Sequence, residues 1–184
     1  KQYAPQAIAS AISAAKSHRL TPADYIQHGR SYFDEVVGRV YEHYQRLLGE
    51  SNALDFDDLL MRTVQLFKES PEILSRYQSR YQHLLVDEFQ DTNLVQYELI
   101  KQIGDKYRNI CVVGDPDQSI YSWRFADLRN ILSFEKDYPE TKLVLLEENY
   151  RSTKMLLETA SSIISVNQQR KPKNLWTNNE LGEP

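Results

Sequence analysis

The stretch LLVDEFQDTN, residues 84–93, decides the fold. Three apolar residues, Leu84 to Val86, run directly into Asp87, Glu88, Gln90 and Asp91. A short apolar run without alternation fits a strand covered on both faces, as in a parallel sheet. Two further runs share this form, NICVVGD at 109–115 and KLVLLEE at 142–148. Helical segments are predicted between them, near 94–103 and 127–136, and such alternation of strand and helix defines an α/β sheet. Each run ends in acid: Asp87 with Glu88, then Asp115, then Glu147 with Glu148. All would lie at strand carboxyl ends, the edge where open α/β sheets bind ligands. Cys111, inside the second run, is predicted to be a buried strand residue.

Upstream, the pattern is helical. Residues 5–18 place Pro5 early and Ile8, Ile12 and Ala15 on one face. Thr21 and Pro22 read as the cap and first residue of a short helix. Residues 31–48 follow the helical period through Phe33, Val36, Val37, Val40, Tyr44 and Leu47, with Gly49 placed to end the helix. Asp55 caps a helix predicted to 67, with Phe56, Leu59, Leu60, Val64 and Phe67 on its apolar face. Four helices thus precede any strand. A last helix is predicted from Thr153 to about 167, followed by a polar tail broken by Pro172.

At 184 residues, 41% hydrophobic and 26% charged, the chain has the composition of an ordinary globular protein with one good-sized domain or two small ones. No apolar run approaches the roughly 18 residues of a membrane span, so none is expected. The first residues lack Met and a signal pattern and read as a cut end. One cysteine permits no internal disulfide, which points to a cytoplasmic setting. The four histidines are scattered without zinc-site spacing. A net charge of −4 argues against a generic polyanion binder but leaves room for a local nucleic-acid track.

The acidic rim suits a hard cation. Mg²⁺ prefers oxygen ligands and needs only one or two carboxylates beside a bound phosphate. After the second run, GDPDQSIYSWRFAD sets Gln118, Tyr121, Trp123 and Arg124 close behind Asp115. Aromatics beside an arginine suit base stacking with a cationic contact. The same aromatics would also serve as core residues beneath a loop. After the third run, Arg151 could reach a terminal phosphate as an arginine finger does. Alternatively it pairs with Glu147 or Glu148 at the surface.

Four motifs in order, DFDDLL at 55–60, LLVDEFQDTN, VVGDPDQSIYSWR at 112–124 and LEENYRS at 146–152, resemble those of the UvrD/Rep/PcrA family of superfamily 1 DNA helicases. The resemblance implies the carboxyl half of a RecA-like parallel-sheet motor domain preceded by an all-helical insertion subdomain. Residues 1–54 would be the helical insertion (1B-like), 55–150 the second half of the first motor (1A-like), and 151–184 the start of the second motor (2A-like). The parent would be an ATP-dependent helicase moving 3′ to 5′ on single-stranded DNA and opening duplex junctions in repair or replication.

The resemblance also implies roles. Asp87 would hold Mg²⁺ with Glu88, and Glu88 would activate the attacking water. Gln118 would sense the terminal phosphate, Tyr150 would stack on the adenine, and Arg151 would contact the γ-phosphate. Tyr121, Trp123 and Arg124 would contact DNA. Two departures stand out. Phe125 occupies the position after Trp-Arg where the family usually has Gly, which bears on the loop geometry. None of the six glycines begins a GxxxxGK[ST] phosphate cradle, so the chain holds part of a motor and is expected to be inactive alone. Two other classes could use such acids: a metal-dependent nuclease, and a motor-less module that only docks on DNA or a partner.

Overall fold

The structure is a computed structural model that describes residues 3–168 and 170–183. Its helical part opens with α1 (Pro5–Ser17), α2 (Pro22–His28) and α3 (Tyr32–Glu50), then α4 (Phe56–Glu69) and α5 (Pro71–Arg80). Local chemistry fixes their starts. Thr21, Ser31 and Asp55 each accept a hydrogen bond from the backbone N–H three residues on, and the acid there returns the bond, forming capping boxes. Among the described residues five helices therefore precede the first strand. The additional one, α5, has few apolar residues and packs on α4 and α6 (Leu94–Gly104). Gly49 does not end α3, which runs to Glu50 and turns at Asn52 with a positive φ of 48°.

α1 and α3 enclose one apolar core, in which Ile12, Ala15, Val37 and Tyr41 are buried. Beside it, Lys16 is wholly buried and places its Nζ 2.6 Å from Asp55 Oδ2 and 3.0 Å from Asp58 Oδ1. This ion cluster fastens α1 to the start of α4. Phe56, at that start, is 89% exposed and does not join the apolar face expected of it.

β1 (Leu84–Val86) and β2 (Ile110–Val112) pair in parallel with Leu84 opposite Ile110 and Val86 opposite Val112. α6 crosses between them. A second core covers one face of this pair, built from Phe89, Tyr97, Ile131, Phe134 and Tyr138 with Val86, Ile110 and Val112 against it. The other face is bare: Leu85 is 80% exposed and Cys111 is exposed rather than buried. The expected third strand does not form. Residues 142–148 have no ladder partner beyond one bridge from Glu148 to Trp176, and Leu143 to Leu146 face solvent. An apolar run sets a preference for burial, but a strand also needs a neighbour to accept its backbone hydrogen bonds. The segment at 127–136 is two four-residue helices, α7 (Arg129–Leu132) and α8 (Phe134–Asp137), broken at Ser133. The last helix, α9 (Lys154–Ile164), is shorter than expected, and the tail returns along its start through Lys154 N–H to Glu180 O and Met155 N–H to Leu181 O.

Candidate nucleotide and DNA site

The first acids follow β1 directly. Glu88 adopts the left-handed conformation, φ 50° and ψ 39°, and turns the chain into a 3-10 turn at Phe89–Asp91. Such backbone costs an L-residue about 1–2 kcal/mol, so something must hold it. Phe89 is that anchor. Its ring is fully buried edge-on against Tyr97 and Phe134, each 5.5 Å away, and its N–H donates to Val113 O at 3.0 Å. The acids on either side of Phe89 are thereby held at the strand end, with Asp87 and Glu88 exposed.

The second loop is tied to the first. Asp115 N–H donates to Gln90 Oε1 at 3.0 Å, and Gln90 Nε2 donates to Glu88 Oε2 at 2.8 Å and Asp91 Oδ2 at 3.2 Å. Asp115 in turn accepts from Gln118 Nε2 at 2.9 Å and from Asp117 N–H at 3.0 Å. Lys173 contacts Asp115 and lies 3.1 Å from Asp117, which also pairs with Arg170 at 2.8 Å. Burial pushes the Asp115 carboxyl up, but hydrogen bonds from Lys173, Gln118 and the Asp117 N–H outweigh it and hold the group below its ordinary value.

Past Gln118, Ser122–Arg124 form another 3-10 turn. Tyr121 and Trp123 are both exposed, Trp123 by 66%, so the core-aromatic alternative fails for them. Their ring centres lie 6.1 Å apart, and the Arg124 guanidinium stands 4.7 Å from the Trp123 ring and 5.7 Å from that of Tyr121. Phe125 closes the turn at φ 66°, the left-handed geometry for which glycine is best suited. Asp127 N–H and the buried Asn130 amide both donate to Thr92 O, anchoring this turn to the loop after β1.

The third acidic run goes elsewhere. Glu147 accepts from Asn174 N–H at 2.6 Å, and Glu148 accepts from Asn178 and from the Tyr150 hydroxyl, the latter at 2.7 Å. Tyr150 is 78% exposed, and that bond to Glu148 raises its hydroxyl above the ordinary range. Arg151 is exposed and forms no side-chain ion pair among the described residues, so the surface-pair alternative is not adopted. The structure thus joins Glu88 to Asp115 through the Gln90 amide and Gln118 to Asp115 through its own, and places Tyr121, Trp123 and Arg124 on the same loop as Gln118. It does not bring Glu147, Glu148, Tyr150 or Arg151 into contact with them. Sequence reasoning missed Gln90 and Asn130 as the connectors, because an isolated amide carries no periodic signal.

The site is thus two acid-tipped parallel strands with an arginine-aromatic turn behind the second. The model of the UvrD/REP helicase N-terminal domain matches residues 1–139, and the chain belongs to that family. Over 182 residues it is 51% identical to the ATP-dependent DNA helicase PcrA of Bacillus subtilis, covering 99% of this chain and 25% of that protein. The PcrA helicases of Staphylococcus aureus strain Mu50 and Staphylococcus epidermidis are 52% and 50% identical over 183 residues, again covering 25% of each. The chain therefore spans about a quarter of the length of these curated relatives. No helix among the described residues is long and apolar enough to cross a membrane.

Proposed function

We infer that the chain is part of an ATP-dependent DNA helicase that moves 3′ to 5′ on single-stranded DNA and opens duplex junctions. Residues 1–54 are its helical insertion, 55–150 the carboxyl half of a RecA-like motor and 151–184 the start of a second motor. One observation carries this reading: Gln118, tied to the acidic rim through Asp115, shares a loop with the exposed cluster of Tyr121, Trp123 and Arg124. A loop that moves with the state of a phosphate would move the DNA platform with it.

In this reading Glu88, exposed at the left-handed turn, accepts the proton of the attacking water. Gln118 meets the terminal phosphate, Arg151 stabilises charge developing on it, and Tyr150 offers an exposed ring to the adenine. The carboxylates suit a shared cation. Beside them Asp91 Oδ1 is buried without a hydrogen-bond partner, and Asp87 is exposed at the strand end. Asp87, with Glu88 beside it, would hold Mg²⁺ next to the bound phosphate. When bound, the ion neutralises charge on the transferred phosphate. The sequence holds no GxxxxGK[ST] phosphate cradle, so this chain by itself should not hydrolyse ATP at a useful rate.

Strand displacement by the full-length helicase tests the reading. A duplex with a 3′ single-stranded tail should open only when ATP and Mg²⁺ are both supplied, and a 5′-tailed duplex should not. Cleavage of DNA with Mg²⁺ and no ATP would instead support the nuclease alternative.

A further inference from the structure

Gln90 is unused by the functional reading above, yet it is among the most buried polar side chains, at 1% exposure. Its amide makes three hydrogen bonds. Nε2 donates to Glu88 Oε2 at 2.8 Å and Asp91 Oδ2 at 3.2 Å, and Oε1 accepts Asp115 N–H at 3.0 Å. Among the described residues these are the only side-chain hydrogen bonds to the Glu88 and Asp91 carboxylates. The amide spans 25 residues of sequence to join the loop of the proposed base to the loop of the proposed phosphate sensor.

We propose that Gln90 is a positioning residue: it orients the Glu88 carboxylate and makes that orientation depend on where the Asp115–Gln118 loop stands. This rests on Glu88 being the base. An exposed glutamate on a turn is free to change rotamer, and a base must keep one lone pair aimed at its water. Pinning Oε2 removes that freedom and leaves Oε1 to receive the proton. The task requires donors on one end of the side chain and an acceptor on the other, which an amide supplies and a carboxylate does not. Gly114 guards the arrangement, since a Cβ there would lie 2.6 Å from Gln90 Oε1.

Two variants of the full-length helicase test this. Gln90→Glu keeps the acceptor facing the Asp115 N–H and removes the donors facing Glu88. Gly114→Ala keeps the amide and pushes it. Each should lower kcat for DNA-stimulated ATP hydrolysis, Gln90→Glu by about 10–100-fold, the scale of losing a partner that orients an active group. KM for ATP and affinity for a fluorescent ADP analogue should stay within about threefold. In a Glu88→Gln background, Gln90→Glu should have little further effect. Normal kcat in Gln90→Glu while Glu88→Gln is inactive would overturn the proposal alone. Normal turnover in Glu88→Gln would remove the base assignment beneath it. If Gln90→Glu fails to fold, Gly114→Ala decides, and a normal kcat there overturns the proposal.

Discussion

The Arg124 guanidinium stands 4.7 Å from the centre of the Trp123 ring, and both side chains face solvent. An indole held against a cation but left uncovered is poised for a base to stack on it. In the full-length helicase, Trp123→Ala should weaken single-stranded DNA binding by about 1–3 kcal/mol without a change in sequence preference. Because the ring is exposed, folding stability should move by less than about 0.5 kcal/mol. Arg124→Ala should flatten the salt dependence of binding by about one unit of slope or less. Fluorescence anisotropy and thermal melting on the same variants measure both. A large stability loss with unchanged affinity would show that the ring serves the fold.

Phe125 bears on the same turn. At φ 66° it occupies glycine's territory, so Phe125→Ala should lose the ring's contacts and keep the strain, whereas Phe125→Gly loses the contacts and releases it. The Gly variant should be more stable than the Ala variant by about 1 kcal/mol in denaturant titrations. The opposite order would mean that the turn is not left-handed.

Much of this was legible in the sequence, and the omissions share a cause. The helical period located α3 and α4, and the apolar runs ending in acid located β1, β2 and the proposed rim. The misplaced elements depended on neighbours rather than on local pattern. Residues 142–148 are as apolar as a strand but, among the described residues, have no ladder partner beyond the bridge at Glu148, and Cys111 lies exposed on a sheet face that no described element covers. α5 escaped notice because it has few apolar residues, none of them buried, and is placed by packing on α4 and α6. Gln90 reads as one amide among acids until the loop from Asp115 is laid beside it.

Arg151 should act on charge in the transition state. Arg151→Ala should lower kcat of the full-length helicase by about 10³-fold. DNA binding without nucleotide should be little changed, because the side chain forms no ion pair among the described residues that its loss would disturb. Normal turnover would remove it from the site.

The buried Lys16 cluster predicts acid lability. Burial raises the Asp55 carboxyl, but hydrogen bonds from Lys16, the Asp58 N–H and Tyr44 outweigh it, so the folded value lies below the ordinary 3.8. The unfolded chain then binds protons more readily. The stabilisation is present above pH 3.8 and is lost as pH falls through the lower folded value. Asp115, shifted the same way, adds to the slope. Lys16→Met strands two carboxylates and should cost about 3–5 kcal/mol at neutral pH, with a shallower fall in stability on acidification. Melting temperatures followed from neutral pH into acid check both statements.

The most direct test of the motor reading is steady-state phosphate release by the full-length helicase, with and without single-stranded DNA, comparing the natural sequence with Glu88→Gln. The substitution keeps the shape of the side chain and removes its ability to take a proton. DNA should stimulate the natural protein, and Glu88→Gln should lower that turnover by about 10²-fold or more with ATP binding retained. DNA-stimulated turnover unchanged by Glu88→Gln would contradict the account.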